Sequence, residues 1–180
     1  MTRDRLAVVV LVCMALLVAC GGPATTGAIE WRDVDMTLPD GWVVIEDLGS
    51  VLYVANGTGG EEEGDPGDLT VGIQFMVEDT PAITEWRDLV AERDGEVELD
   101  AAIDVDGVPA FALQYTLPAR GEAVPETRER VVVVPSRHLV ILAQAVPVRG
   151  QQDGAALFLD NVDEVEAILD SIDFGAPYEE

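Results

Sequence analysis

The fold of this chain depends first on residues 34–45, which read VDMTLPDGWVVI. Val34, Met36 and Leu38 alternate with polar residues, and a period of two is typical of a strand with one buried face. The next residues, Pro39-Asp40-Gly41, predict a tight turn, because proline fixes its own φ and glycine accepts a positive φ. Trp42 then begins a second apolar run, so the segment predicts a strand, a turn and a strand.

Six more strands are predicted downstream by apolar and β-branched runs bounded by turn residues. They cover residues 51–55, 69–77, 99–105, 108–117, 130–135 and 139–146. Between the fourth and fifth strands of the sequence, the periodicity becomes helical. Asp106-Gly107 lies between two later strands and is a strong signal for a two-residue hairpin turn.

The first predicted helix has Thr80 as its N-cap and Pro81 as its first residue, and it is expected to stop near Gly95. Its apolar stripe consists of Ile83, Trp86, Leu89 and Val90.

A second helix closes the chain, and Asn161 with Glu164 predicts its capping box. The buried face of this helix is predicted to be Phe158, Val162, Val165, Leu169 and Ile172, and its wet face Asp160, Asp163, Glu164, Glu166 and Asp170. The elements together predict an α+β fold in which helices flank an antiparallel sheet.

Two short motifs carry a resemblance to a known family. The opening Leu38-Pro39-Asp40-Gly41-Trp42 and the closing helix that runs into Ser171-Ile172-Asp173-Phe174 resemble the PsbP-like family. This resemblance implies a PsbP-like α/β/α sandwich over residues 29–176 and a non-catalytic role in assembling or stabilising a membrane complex. It assigns no functional residue, and we expect Trp42 to pack in the core.

The first twenty residues have the layout of a bacterial lipoprotein signal. Basic residues precede an uncharged run from Leu6 to Ala19, which is shorter than the roughly 20 residues that a membrane-spanning helix needs. The run ends in Leu17-Val18-Ala19-Cys20, which resembles a lipobox. We therefore expect a signal peptide at 1–19, a lipid such as palmitate on Cys20, a flexible linker to residue 28 and a short tail at 177–180. The protein would be exported and anchored to the outer face of the cell membrane.

Composition limits the classes of partner. Of 180 residues, 35 are acidic and 10 are basic, giving a net charge of −25. This charge argues against binding to nucleic acid, which needs cationic patches. Cys13 lies in the predicted signal peptide and Cys20 would carry lipid, so no cysteine remains for thiol catalysis or for a metal site.

Other candidate sites each have a plainer explanation. Residues 61–68 place five carboxylates on a glycine-bearing loop, which could bind calcium but is favoured as a solvated loop. Asp104 and Asp106 hint at calcium too, although the hairpin explains them. His138, the single histidine, stands two residues from Ser136 without the features of a catalytic triad. Arg128 and Arg130 alternate on a strand and should share a solvent face.

These observations predict that the protein is not an enzyme and has no cofactor. The leading hypothesis is an interaction or stabilising module on the outer face of the membrane, with an unknown protein partner. The alternative is an envelope lipoprotein that binds a small ligand or a metal ion such as calcium.

Overall fold

The computed structural model describes residues 27–57, 70–120, 125–145 and 154–176. The predicted signal peptide, Cys20, the acidic run at 61–68 and the tail at 177–180 lie outside these residues. The described residues form ten strands, three α-helices and a 3₁₀ turn at Pro135–Arg137. The strands are β1 (Gly27–Trp31), β2 (Val34–Leu38), β3 (Trp42–Asp47), β4 (Val51–Asn56), β5 (Val71–Val77), β6 (Glu96–Val105), β7 (Val108–Leu117), β8 (Thr127–Val134), β9 (Leu139–Ala145) and β10 (Asp173–Phe174). The helices are α1 (Ile83–Glu92), α2 (Gly154–Asp160) and α3 (Val162–Asp170).

The strands form two antiparallel sheets. The larger has the order β3-β4-β5-β9-β8-β7-β6, and the smaller has the order β1-β2-β10. The turn at Pro39-Asp40-Gly41 therefore passes the chain from the small sheet to the large one instead of closing a hairpin. Gly41 has a φ of 89°, and the N–H of Trp42 donates to the carbonyl of Pro39 at 3.1 Å, so the turn residues act as the sequence predicts.

Each face of the large sheet is covered by different elements. Ile83, Trp86 and Val90 of α1 pack on one face against the odd-numbered valines of β8, Val131 and Val133. The opposite face is covered by α2, α3 and the small sheet, which share one core with it. The ring of Trp31 from the small sheet lies 6.4 Å from that of Phe75 on β5. The predicted α+β class, with an antiparallel sheet flanked by helices, is confirmed.

Several element boundaries differ from the predictions. The chain enters β1 at Gly27, so the predicted linker overlaps this strand by two residues, and neither β1 nor β10 was predicted. The first helix starts at Ile83 with Ala82 as its N-cap, and it lacks a side-chain cap, so Thr80 and Pro81 lie outside it. The closing helix is divided at Asn161 into α2 and α3.

Asp94 rather than Gly95 takes the left-handed conformation where the first helix ends, with a φ of 57°. The N–H of Gly95 donates to the carbonyl of Val90 at 2.9 Å, and that of Asp94 to the carbonyl of Ala91 at 3.3 Å. This pair of bonds is a Schellman motif. The predicted hairpin at Asp106-Gly107 is confirmed, because both residues have positive φ and join β6 to β7.

Candidate functional site

The outer edge of β1 carries backbone groups that point away from its partner strand. Ala28 lies opposite Thr37 of β2. The N–H of Thr37 donates to Oγ of Ser171 at 2.9 Å, on the far side of β2 from β1. Ala28 and Thr37 are therefore a non-hydrogen-bonded pair, and the N–H and C=O of Ala28 point outward. Glu30, two residues further along, points its backbone groups the same way, because this pattern alternates.

β3 is the corresponding edge strand of the large sheet. The N–H of Gly57 donates to the carbonyl of Gly41 at 2.8 Å, so these two residues are a hydrogen-bonded pair just before the strand. Alternation makes Val43 and Ala55 the next bonded pair, and it leaves the backbone groups of Val44 facing outward. No described strand pairs with the outer edge of either β1 or β3.

A groove of about 340 Å³ lies between these two edges. Its lining residues come from β1, β3 and the start of β4: Ala28, Ile29, Glu30, Trp31, Val44, Asp47 and Leu52. Ile29, Trp31 and Leu52 are buried and form its apolar floor, whereas Ala28, Glu30 and Asp47 are exposed. The groove thus combines an apolar floor, two carboxylates and outward-facing backbone groups.

Asp47 is held in place at one end of this groove. Its Oδ1 accepts the indole N–H of Trp31 at 3.3 Å and the backbone N–H of Gly49 at 2.8 Å. Arg32 donates to the carbonyl of Gly49 at 3.1 Å, which fixes the turn that follows β3. These bonds connect the small sheet to the end of β3 at one end of the groove.

Glu129, on the opposite face of the large sheet, is a polar residue that the sequence interpretation missed. Its carboxylate accepts the hydroxyl of Tyr115 at 2.6 Å and that of Thr127 at 3.2 Å. Burial raises the pKa of Glu129, and the two hydroxyls and the charge of Arg93 offset only part of that effect. Strand alternation was a usable signal, because it places Glu129 on the same face as the buried Val131 and Val133.

Glu164 departs most clearly from its predicted position. It was assigned to the wet face of the closing helix, but its Oε2 accepts the indole N–H of Trp42 at 2.6 Å and the amide of Asn56 at 2.8 Å. Trp42 is 0% exposed, which confirms its predicted place in the core. Asn161 does not cap α3 with its side chain, which instead bonds Asn56 and the carbonyl of Leu157. The predicted capping box is therefore wrong.

The other sequence candidates have structural partners. His138 is exposed, and its Nδ1 lies 2.9 Å from the carbonyl of Asp79, a geometry in which the ring N–H donates to that oxygen. Asp104 accepts the N–H of Gly107 at 2.6 Å, and Asp106 accepts that of Phe174 at 2.8 Å. Both carboxylates thus stabilise the hairpin and its contact with β10.

Arg128 and Arg130 share one face of β8, as predicted, but that face is not simply solvent. Arg128 pairs with Glu98, and Arg130 pairs with Glu166 of α3. The Arg130 side chain is only 12% exposed, and burial lowers its pKa. These ion pairs leave the two guanidinium groups engaged with carboxylates.

Within the described ranges, no group of three or more histidine, cysteine or acidic residues is arranged to hold a metal ion. None of the helices in those ranges has the length and apolar character needed to cross a membrane. Cys20 and the acidic run at 61–68 are outside these ranges, so lipidation and calcium binding stay predictions.

No protein-family model and no curated protein matches the chain. Among solved structures, it is similar to a protein of unknown function from Pseudomonas aeruginosa, with 18% identity, a TM-score of 0.46, and coverage of 83% of this chain and 96% of that one. It is also similar to a Bacteroides thetaiotaomicron protein, with 10% identity and a TM-score of 0.47, covering 87% of this chain and 51% of that one. A third similar structure is the cyanobacterial PsbP of Synechocystis, with 14% identity, a TM-score of 0.47, and coverage of 88% and 98%. All three TM-scores are below 0.5, so these similarities establish neither a family nor an activity.

Proposed function

We propose that this protein is an exported lipoprotein, anchored to the outer face of the cell membrane through Cys20, that binds a partner protein without catalysing a reaction. The observation that carries the binding function is the groove between β1 and β3. It places an apolar floor beside two strand edges that have no described partner.

The anchor is supported by the order of features along the sequence. Cys20 ends the lipobox-like tetrapeptide, and β1 begins at Gly27, so six residues separate the two. A linker of that length, taken as the flexible coil that the sequence predicts, would span on the order of 13 Å. The groove, which β1 lines, would therefore stay close to the bilayer and within reach of a partner embedded in it.

The anchor is tested by changing Cys20 alone. We expect the wild-type protein to fractionate with membranes and its N-terminal peptide to carry the mass of acyl chains. Two or more buried chains hold a protein stably, so Cys20→Ala should abolish both properties. Membrane association of Cys20→Ala equal to that of the wild type would contradict the proposal.

The binding function is tested by photo-crosslinking in cells. A photoreactive amino acid at Ala28, beside the groove, should give a defined adduct with a partner. The matched control is Ala102, an exposed alanine on the other edge of the large sheet, where we expect no such adduct. Adducts of the same mass and yield at both positions, or none at Ala28, would count against a partner in the groove.

A further inference from the structure

We propose that the partner enters the groove as an extended segment that pairs with the outer edge of β1 and carries basic side chains next to Glu30 and Asp47. This inference rests on the proposed function and names the chemistry of the partner. It follows from three observations. The first is the regularity of the edge strands β1, β3 and β6, the second is the alternation of side chains on β1, and the third is the net charge of the chain.

The three edges are not equally open to another strand. Exposed strand edges are commonly protected by bulges, prolines or charged residues that prevent pairing. β3 has an irregular register between Val44 and Glu46, and β6 has one between Val97 and Leu99. β1 pairs with β2 in unbroken register from Gly27 to Trp31 and contains no proline. β1 is therefore the edge among the described residues that best fits an added strand.

The side chains of β1 specify what the added strand should carry. Ile29 and Trp31 point into the core, whereas Ala28 and Glu30 are exposed. Side chains of an added strand alternate in the same way, so one set would lie over the apolar floor and the other beside Glu30. Residues of opposite charge on neighbouring strands attract, which favours lysine or arginine next to Glu30. The fitting segment alternates apolar and basic residues.

The charge of the whole chain supports a basic partner over a second copy. The net charge of −25 makes two copies repel each other, and both charged residues that line the groove are acidic. Complementary charge also speeds the encounter with a basic segment and suppresses acidic partners. The open backbone edge of β1, the side chains that line the groove and the net charge of the chain thus all favour an extended segment in which apolar and basic residues alternate.

The experiment measures amide hydrogen exchange in the full chain, solubilised in a non-ionic detergent. The probe is a ten-residue peptide of alternating arginine and valine with blocked ends. We expect it to slow exchange at the N–H of Ala28 and Glu30 at least tenfold, and to leave Ile29 and Trp31 unchanged, because alternation pairs those two with β2. A glutamate–valine peptide should have no effect. An arginine–valine peptide N-methylated at every second amide keeps the charge but cannot pair, so it should protect neither residue.

Two pairs of variants locate the bound peptide. Ala28→Pro removes the outward N–H of an exposed edge alanine and should weaken binding about tenfold, because an edge strand tolerates proline where the N–H faces solvent. Ala102→Pro is its control, since alternation from the Asp106-Gly107 turn places the N–H of Ala102 outward on β6.

Glu30→Gln leaves the backbone unchanged and should weaken binding severalfold. Its control, Glu96→Gln, removes an exposed charge at the distant edge and should leave binding unchanged.

Three results would overturn the inference. The first is protection by the N-methylated peptide equal to that by its parent, which would show charge attraction without strand pairing. The second is equal loss of binding in Ala28→Pro and Ala102→Pro. The third is protection of Ala28 and Glu30 before any peptide is added, whether from a second copy or from the rest of the chain. If the Ala28 crosslink to a partner persists in any of these cases, the proposed function stands and strand addition alone fails.

Discussion

At the scale of single residues, Glu164 connects the last helix to the edge of the large sheet. Its carboxylate satisfies the indole N–H of Trp42, a residue that is 0% exposed, and the side-chain amide of Asn56. A buried donor that loses its acceptor costs the full desolvation of that group. Glu164 therefore contributes to stability through the groups it satisfies rather than through its charge.

This role gives a graded prediction for two substitutions. Glu164→Ala should lower the free energy of unfolding by about 1–3 kcal/mol, because it leaves the Trp42 N–H without an acceptor. Glu164→Gln keeps an oxygen there and should cost less. Urea unfolding followed by tryptophan fluorescence measures both, with Asp163→Ala, an exposed neighbour on α3, as the control. A loss as large in Asp163→Ala as in Glu164→Ala would contradict the assignment.

Glu129 makes a second residue-scale prediction, for which the sign follows from the direction of its pKa. The pKa is raised by burial, so the folded protein holds this proton more tightly than the unfolded chain does. The associated stability is fully present below the ordinary glutamate pKa of about 4.3 and is lost as the pH rises through the higher folded pKa. Each pH unit in that window removes at most about 1.4 kcal/mol.

Glu129→Gln cannot ionise, so its stability should lack this loss. Relative to the wild type, the variant should become progressively more stable as the pH rises from about 4 towards neutrality. Urea unfolding at a series of pH values measures the difference, and Glu96→Gln, at an exposed strand position, is the control. A difference between Glu129→Gln and the wild type that does not change with pH would contradict a raised pKa.

At the scale of elements, the end of α1 divides two roles between the neighbouring residues Asp94 and Gly95. Asp94 takes the left-handed conformation, and Gly95 provides space: a Cβ there would lie 2.9 Å from side-chain carbons of both Leu117 and Val90. Asp94→Gly should therefore stabilise the protein by up to about 1 kcal/mol by relieving the positive φ. Gly95→Ala should destabilise it by about 1–3 kcal/mol through overpacking.

Thermal and urea unfolding of these two variants test the assignment directly. The two neighbouring positions are expected to respond with opposite signs. A neutral Gly95→Ala, or a destabilising Asp94→Gly, would contradict the roles assigned to these two residues.

The sequence predicts long elements better than short ones. Alternation located β5 and β7, and the Asp106-Gly107 signal fixed the turn between β6 and β7, because these patterns are local. β1 was missed because its five residues follow a glycine-rich stretch and its turn has Arg32, instead of glycine or asparagine, at a φ of 58°. β10 has two residues, too few for any period.

The candidate site was beyond prediction for a different reason. The groove lies between β1 of the small sheet and β3 of the large sheet. A local sequence pattern does not show which strands lie next to each other. The break at Asn161 was hidden as well, because Phe158, Val165 and Leu169 keep one apolar face through it. A tertiary contact lies at this break, where the side-chain amide of Asn56, more than a hundred residues away, donates to Oδ1 of Asn161.

At the scale of the whole molecule, the net charge of −25 opposes the compact state. Folding brings like charges together, and several arginines of the described residues are each paired with a carboxylate, as Arg130 is with Glu166. Repulsion between these carboxylates acts over distances at which dissolved salt weakens it.

We therefore expect the protein to gain stability with added sodium chloride. Between roughly 0.01 M and 0.15 M salt the Debye length falls from about 30 Å to about 8 Å, and the unfolding midpoint in urea should rise. Chloride is preferred to sulfate here, because sulfate strengthens apolar burial by itself. A midpoint that falls with salt would mean that attractive ion pairs outweigh the repulsion.

The pairing of β5 with β9 sets the order in which the molecule can be assembled. β5 ends at Val77, and the strand that covers its other edge begins only at Leu139. A chain emerging from the ribosome thus exposes an almost entirely apolar edge for more than sixty residues, and its sheet stays divided until β9 arrives. Late closure of this kind slows folding, and it leaves β5 without its second partner strand until β9 has been made.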